Sequence, residues 1–294
     1  RRGYINPGGD GGPTCIQEQA DAMVECVKAG AAAIHTHPRH PSDGLTRIHA
    51  PKVLTSTMDA AFEEVDFITA HHTWDFNLRH SWETDYISNP KELLKMGKGN
   101  KYVQTNLILT APSQDMGYPI HSMETIAKGV KWMEENDVKP IFSSEHFMFH
   151  RLKKAIFDRG IAKWKPYLIV MQVGKHWDDF TDQDPWSYRF VINTMEKVKR
   201  NMPEEDMVLG INPACRNWLP MAVMGLLYGA QYIRVGLEDQ FWLYPHKPDT
   251  AENISKKASD TVEMVVQIAK ALGRKIATVD EAREIIGIKY TSPD

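Results

Sequence analysis

Two histidines separated by one residue, His35 and His37 in Ile34-His35-Thr36-His37, close an apolar run that begins at Ala31. In an extended strand the side chains at i and i+2 leave the same face, so both imidazoles can aim at one point. A strand end can hold a metal ion in that way. The same pair also reads as two unrelated polar residues at a strand-to-loop junction. Far downstream, the stretch Arg234-Val235-Gly236-Leu237-Glu238-Asp239 supplies a carboxylate in Glu238. His35, His37 and Glu238 together make a two-histidine, one-carboxylate set with an open position, the donor set of a catalytic zinc centre. Zn²⁺ suits two nitrogens and one oxygen, and Fe²⁺ binds similar facial sets. Glu238 alone would read as a solvated loop carboxylate. Arg234 and Asp239 read either as a salt bridge at a barrel rim or as an acid-base pair acting on a bound carbonyl compound.

Such groups meet only if the fold gathers them. Ile16, Ala20, Met23, Val24 and Val27 form the stripe of an amphipathic helix over 16–29, with Gly30 where a C-cap belongs. The strand ending in His35 and His37 follows at once. Beyond it, extended segments are predicted at 65–70, 102–109, 138–142, 167–171, 207–211 and 232–235. Helices are predicted near 52–63, 90–96, 121–135, 147–157, 188–200, 219–228 and 251–272. The strands are continuously apolar rather than alternating, which indicates a parallel sheet covered on both faces. A short strand in Arg2-Gly3-Tyr4-Ile5-Asn6, or one partly upstream of Arg1, brings the number of βα units to eight. The expectation is an α/β fold, a (β/α)8 TIM barrel forming a single domain over residues 1–294. An open doubly wound sheet would usually carry a GxGxxG turn, and the glycines at 8–12 lack that order.

In such a barrel the chemistry stands at the C-terminal strand ends. The groups predicted there are His35 and His37; His71, His72, Thr73 and Trp74; Thr105 and Asn106; Ser143, Glu145 and His146; Lys175 and His176; Asn212; and the Arg234 to Asp239 stretch. A net charge of −3 and a pI near 6.5 argue against a nucleic-acid partner. No stretch approaches the roughly 20 apolar residues of a membrane span. Three cysteines, Cys15, Cys26 and Cys215, lack CxxC spacing. They read as small buried or helical residues in a reducing, cytoplasmic protein.

Three stretches together carry a resemblance: Ala29-Gly30-Ala31-Ala32-Ala33-Ile34-His35-Thr36-His37-Pro38-Arg39, Ile233-Arg234-Val235-Gly236-Leu237-Glu238-Asp239, and Ala271-Leu272-Gly273-Arg274 with Glu281-Ala282-Arg283. In their order and spacing the chain resembles the β-keto acid cleavage enzyme family. The resemblance implies a (β/α)8 barrel, commonly a homotetramer, with zinc held by His35, His37 and Glu238. It also implies a transferase reaction in which a β-keto acid and acetyl-CoA give acetoacetate and a new acyl-CoA by retro-Claisen cleavage. Asp239, oriented by Arg234, would be the general base, and Thr105 would contact substrate at the end of its strand. The competing reading is a metal-dependent hydrolase of the amidohydrolase type, which would cast His146, His176 and Asp239 as further site residues. Its HxH belongs on the first strand, whereas here a complete helical unit precedes the motif.

The chain departs from the family pattern in two places. Where the family has a small Ser-Thr-Gly-Gly turn, this sequence has His72-Thr73-Trp74-Asp75, and after Lys139-Pro140 it has Ile141-Phe142-Ser143-Ser144-Glu145 in place of a Glu-rich segment. His72, Thr73 and Trp74 are therefore expected to shape the substrate pocket, and the missing acidic residue is either displaced to Glu145 or replaced by Ser143. Arg39 and Lys175 are the visible basic residues for a CoA thioester. Because Trp74 fills space that a glycine would leave open, Trp74→Gly is expected to broaden the range of keto acids accepted. A substrate panel giving an unchanged profile would count against its pocket role.

Overall fold

The computed structural model describes residues 15–38, 51–71, 87–97, 99–109, 122–174, 185–248 and 250–290. Within them the chain alternates strand and helix. The strands are β1 (Ala33–Ile34), β2 (Ile68–His71), β3 (Thr105–Leu109), β4 (Lys139–Glu145), β5 (Tyr167–Gln172), β6 (Met207–Asn212) and β7 (Tyr232–Ile233). They pair in parallel in sequence order, forming a sheet of seven strands. The helices are α1 (Ile16–Lys28), α2 (Pro51–Phe62), α3 (Ser88–Met96), α4 (Met123–Glu135), α5 (Phe149–Leu152), α6 (Pro185–Lys199), α7 (Trp218–Leu227), α8 (Ala258–Ala271) and α9 (Val279–Ile286). The candidate strand at 2–6 lies outside the described residues.

The sheet is curled like a TIM barrel. Laid flat, six steps of about 4.8 Å would put β1 and β7 roughly 29 Å apart. Instead His37, just after β1, lies 3.1 Å from Glu238, just after β7. Side-chain alternation shows the same geometry. Leu107, Leu109, Ile141, Leu168, Val170 and Val208 form an inner cluster, while Ile108, Phe142, Ile169, Met171, Leu209 and Ile211 pack outward beneath the helices. Both faces are buried, as continuous apolar strands require.

The floor is closed by α9. Ala282 and Ile286 join the inner cluster, and Trp164 Nε1 donates to Gly287 O at 2.8 Å. Arg283 binds both oxygens of Asp66 and donates from Nε to Gln104 Oε1 at 3.0 Å. The sequence reading did not predict this helix. Thr278 and Glu281 nevertheless form its capping box, a Thr-x-x-Glu signature visible in the chain. The helix predicted over 251–272 begins only at Ala258. Before it, Asn253 Nδ2 donates to the carbonyls of Tyr244, Lys247 and Pro248, drawing 244–248 against Asn253. Cys26 and Cys215 are buried, whereas Cys15, expected to be buried or helical, is exposed and caps the start of α1.

Lys139, the first residue of β4, is 1% exposed, and its Nζ donates to Trp164 O at 3.0 Å. Burial pushes its ammonium down to about 7, opposed by Glu134 and assisted by Lys289. The folded state therefore binds fewer protons than the unfolded chain between about pH 7 and the ordinary lysine value of 10.5. The cost of burying the charge is complete below that window, and stability rises with pH through it. In unfolding experiments at pH 7, 8.5 and 10, wild type should gain stability relative to Lys139→Met as pH increases. A constant difference would show that Lys139 stays charged in the fold.

Candidate metal centre

His35 faces inward because Ile34, before it, packs outward with the outer core. His37 shares that inward face, two residues on. The loop carrying it is held from α1, where Gln19 Nε2 donates to His37 O at 3.0 Å. His35 Nδ1 lies 2.9 Å from Ala70 O, and a carbonyl only accepts, so Nδ1 carries the proton and Nε2 presents its lone pair. Burial holds His35 below its usual value, Arg234 adds to that effect, and Glu238 opposes both. A neutral imidazole whose second nitrogen is anchored to a carbonyl is the form that binds a metal.

Both Nε2 atoms and the Glu238 carboxylate converge. The two nitrogens are 3.1 Å apart, His37 Nε2 is 3.1 Å from Glu238 Oε1, and His35 Nε2 is 3.1 Å from Glu238 Oε2. Donors bonded at about 2.0–2.1 Å to one tetrahedral ion must lie about 3.3 Å from one another, so these residues fit a transition-metal site. Among the described residues, this trio is the His, Cys and carboxylate group able to hold such an ion.

Glu238 reaches this position through a glycine turn. Gly236 has φ +146°, and its carbonyl accepts from Asp239 N at 2.9 Å. An added Cβ would find room there, its nearest contact being Ala258 at 3.9 Å, so conformation rather than space calls for glycine. Arg234 then braces the turn, with Nη2 donating to Glu238 Oε2 at 2.7 Å and Nε to Asp239 Oδ2 at 3.0 Å. Burial works against the charge on Arg234, but Asp239 and Glu238 outweigh it, so the guanidinium is held above its usual value. Asp239 is itself 1% exposed and accepts from Asn212 Nδ2 at 3.2 Å.

Beside the trio is a shallow recess, about 350 Å³ of empty space when the open solvent at its mouth is included and about 20 Å³ when counted as an enclosed cavity. Its described lining comprises His35, Ala70, Leu107, Ile141, Ser143, Val170, Asn212, Tyr232 and Arg234. Strand register arranges part of this wall in tiers. Ser143, Val170, Gly210 and Tyr232 pair in turn across β4 to β7. One step nearer the mouth, Glu145, Gln172 and Asn212 pair in turn.

The structure thus brings together His35, His37, Glu238, Arg234 and Asp239, and puts Ser143 in the cavity wall with Glu145 one tier above it. Thr105 differs from expectation. The segment before it forms a turn, so β3 starts at Thr105 instead of 102 and runs on through Leu109. Thr105 therefore opens the strand rather than ending it, and its hydroxyl donates to Thr69 O at 3.0 Å, below the described cavity wall. His146 turns toward α6, where Nδ1 meets Thr194 Oγ1 at 3.0 Å. His72, Thr73, Trp74, Arg39, Lys175 and His176 lie outside the described residues. Gln172 received no mention in the sequence reading and Asn212 no role. Inward spacing from Val170 and Val208 was the signal available for both.

The family model described as beta-keto acid cleavage enzyme matches residues 11–288. A 3,5-dioxohexanoate:acetyl-CoA acetone transferase of Paraburkholderia graminis is 24% identical over 323 residues, covering 94% of this chain and 89% of that protein. A 3-keto-5-aminohexanoate cleavage enzyme of Acetoanaerobium sticklandii is 42% identical over 115 residues, covering 36% of this chain and 40% of its own. Another enzyme of that name, from Fusobacterium nucleatum subsp. nucleatum, is 24% identical over 294 residues, covering 94% of this chain and 91% of its own. Among solved structures, the ternary complex of ObcA with C4-CoA adduct and oxalate superposes with a TM-score of 0.70 at 16% identity. The match covers 94% of this chain and 67% of that one, and it speaks for the fold alone.

Metal analysis of purified protein should find about one transition-metal ion per chain, and His37→Ala should remove it. Full occupancy in that variant would refute the ligand assignment.

Proposed function

The chain belongs to the beta-keto acid cleavage enzyme family, and from that premise we propose that it is a zinc-dependent enzyme. It condenses a β-keto acid with acetyl-CoA and releases acetoacetate and a new acyl-CoA. The observation that carries this reading is the single hydrogen-bonded network joining His35, His37 and Glu238 to Asp239 through Arg234. His35, His37 and Glu238 would hold the ion. When bound, it supplies Lewis acidity at the keto oxygen, making the carbon between the keto and carboxylate groups easier to deprotonate.

The protein's own groups do the rest. Asp239 takes the proton from that carbon, and the resulting enolate attacks the acetyl thioester. Coenzyme A then leaves one carbonyl and joins the next, and carbon–carbon cleavage returns the proton as acetoacetate departs. Asp239 stands behind Arg234 and Asn212 rather than in the described cavity wall. The guanidinium must therefore turn aside for the base to act, and the carboxylate of the arriving substrate offers it a new ionic partner. Arg234 remains tied to Glu238 meanwhile, so the turn keeps its shape.

The amidohydrolase alternative needs His146 beside the metal, and His146 instead bonds Thr194. The free thiols fit a reducing cytoplasm, and the family resemblance implies a tetramer. No helix among the described residues is long and apolar enough to cross a membrane.

The test is mass-spectrometric detection of acetoacetate and a new thioester from a panel of β-keto acids with acetyl-CoA. Asp239→Asn should retain fold and metal while losing about 10²–10⁴-fold in turnover, the usual contribution of a general base. Wild-type activity in that variant would end the assignment of Asp239 as base.

A further inference from the structure

Asn212 ends β6 at 2% exposure and shares the inward face of that strand with Val208 and Gly210. Its amide has one workable orientation. A carboxylate only accepts, so the nitrogen is the end turned to Asp239, and Nδ2 donates to Asp239 Oδ1 at 3.2 Å. The oxygen of the same amide, Oδ1, is buried and accepts no hydrogen bond. Buried acceptors are ordinarily paired, and this one stands idle next to the ion pair of the site. Arg234 is its neighbour across the sheet. Ile211 pairs with Ile233, and Arg234 N donates to Ile211 O at 3.0 Å, so Asn212 and Arg234 stand side by side on strand ends that run about 4.8 Å apart. Both line the recess. The Asp239 carboxylate is thus gripped from two sides, with Arg234 Nε on Oδ2 at 3.0 Å and Asn212 Nδ2 on Oδ1.

We infer that Asn212 is a positioning residue with two roles: Nδ2 keeps the Asp239 carboxylate in place, and Oδ1 receives Arg234 Nε when the guanidinium turns off Asp239. This rests on the reading of Asp239 as the base and deepens it. An oxygen covered by an N–H cannot take a proton from carbon, so Arg234 has to uncover Oδ2. Pivoting on the contact of Nη2 with Glu238 Oε2, 2.7 Å long, moves Nε sideways and leaves the ion pair to Glu238 intact. A buried N–H released without an acceptor would oppose that movement. Asn212 Oδ1 is an acceptor already removed from water, so the pivot exchanges one hydrogen bond for another and buries no new polar group. One amide orientation serves both roles, as donor to Asp239 and acceptor from Arg234.

Acetoacetate is the probe, because the proposed reaction releases it whatever the natural keto acid is. With isotopically labelled acetyl-CoA and zinc-loaded protein it should exchange its acetyl group, and mass spectrometry follows the label into acetoacetate. Asn212→Leu is close to asparagine in size but has neither donor nor acceptor. It should keep its zinc and its KM for acetoacetate while kcat falls about 10–100-fold, the loss expected for hydrogen bonds to charged groups. Loss of zinc in step with kcat would make Asn212 a structural residue, and an unchanged kcat would leave it no role; either result overturns the inference. No label transfer by wild type, or wild-type transfer by Asp239→Asn, removes the base itself and the inference with it, whereas full transfer by Asn212→Leu alone leaves the base standing. The direct readout is a crystal structure of wild type with zinc and acetoacetate but no acetyl-CoA. Arg234 Nε should lie within hydrogen-bonding distance of Asn212 Oδ1, with Asn212 Nδ2 still on Asp239. Finding Nε on Asp239, or turned to any other acceptor, would refute the pivot.

Discussion

The largely buried guanidinium of Arg234, its side chain 15% exposed, is the constraint around which the site is arranged. An unpaired charge at that depth would be prohibitively expensive, and two adjacent carboxylates, Glu238 and Asp239, neutralise it from different nitrogens. Because each carboxylate is pinned by its own hydrogen bond, neither rotates freely. Glu238 is thereby presented to the two histidines, and Asp239 is held between Arg234 and Asn212. The turn that makes this fork possible depends on the positive φ of Gly236. Electrostatic compensation and backbone conformation thus converge on the same six residues, 234–239, which explains why so short a stretch was so informative in the sequence.

The two ends of the barrel divide their labour. At the floor, α9 fills the interior with Ala282 and Ile286, while Arg283 satisfies Asp66 and the buried Gln104. At the mouth, strand ends present polar groups in tiers over an apolar wall. Barrel folds separate stability from chemistry in this way.

How much could be read in advance followed from how local each signal was. His35 and His37 were legible because strand periodicity alone puts them on one face, and the βα alternation was legible because each apolar run is continuous. Glu238 became a candidate ligand only in combination, since His37 is 201 positions away. Thr105 was misplaced because hydrophobicity does not tell an approaching turn from a strand, and Tyr102 and Val103 are buried in either case. Residues 251–257 kept a helical composition, but Asn253 organises the preceding loop through three backbone carbonyls, a tertiary effect without periodicity. Helix α9 spans only eight residues, too short for a persistent apolar stripe, so its local signal is the capping box of Thr278 and Glu281. Gln172 was overlooked because it ends an apolar strand, where its inward direction shows only from the register.

The separation between His37 and Glu238 also bears on how the molecule comes into being. During synthesis, the segment carrying both histidines emerges before β2 to β7, and Glu238 follows His37 by 201 positions. The floor closes later still, since Arg283 reaches back 217 positions to Asp66. Contacts of such span are slow to form, because the intervening chain must first surrender its freedom. The candidate metal centre is therefore among the last features to be completed on the ribosome or after it, because it joins the two edges of the sheet.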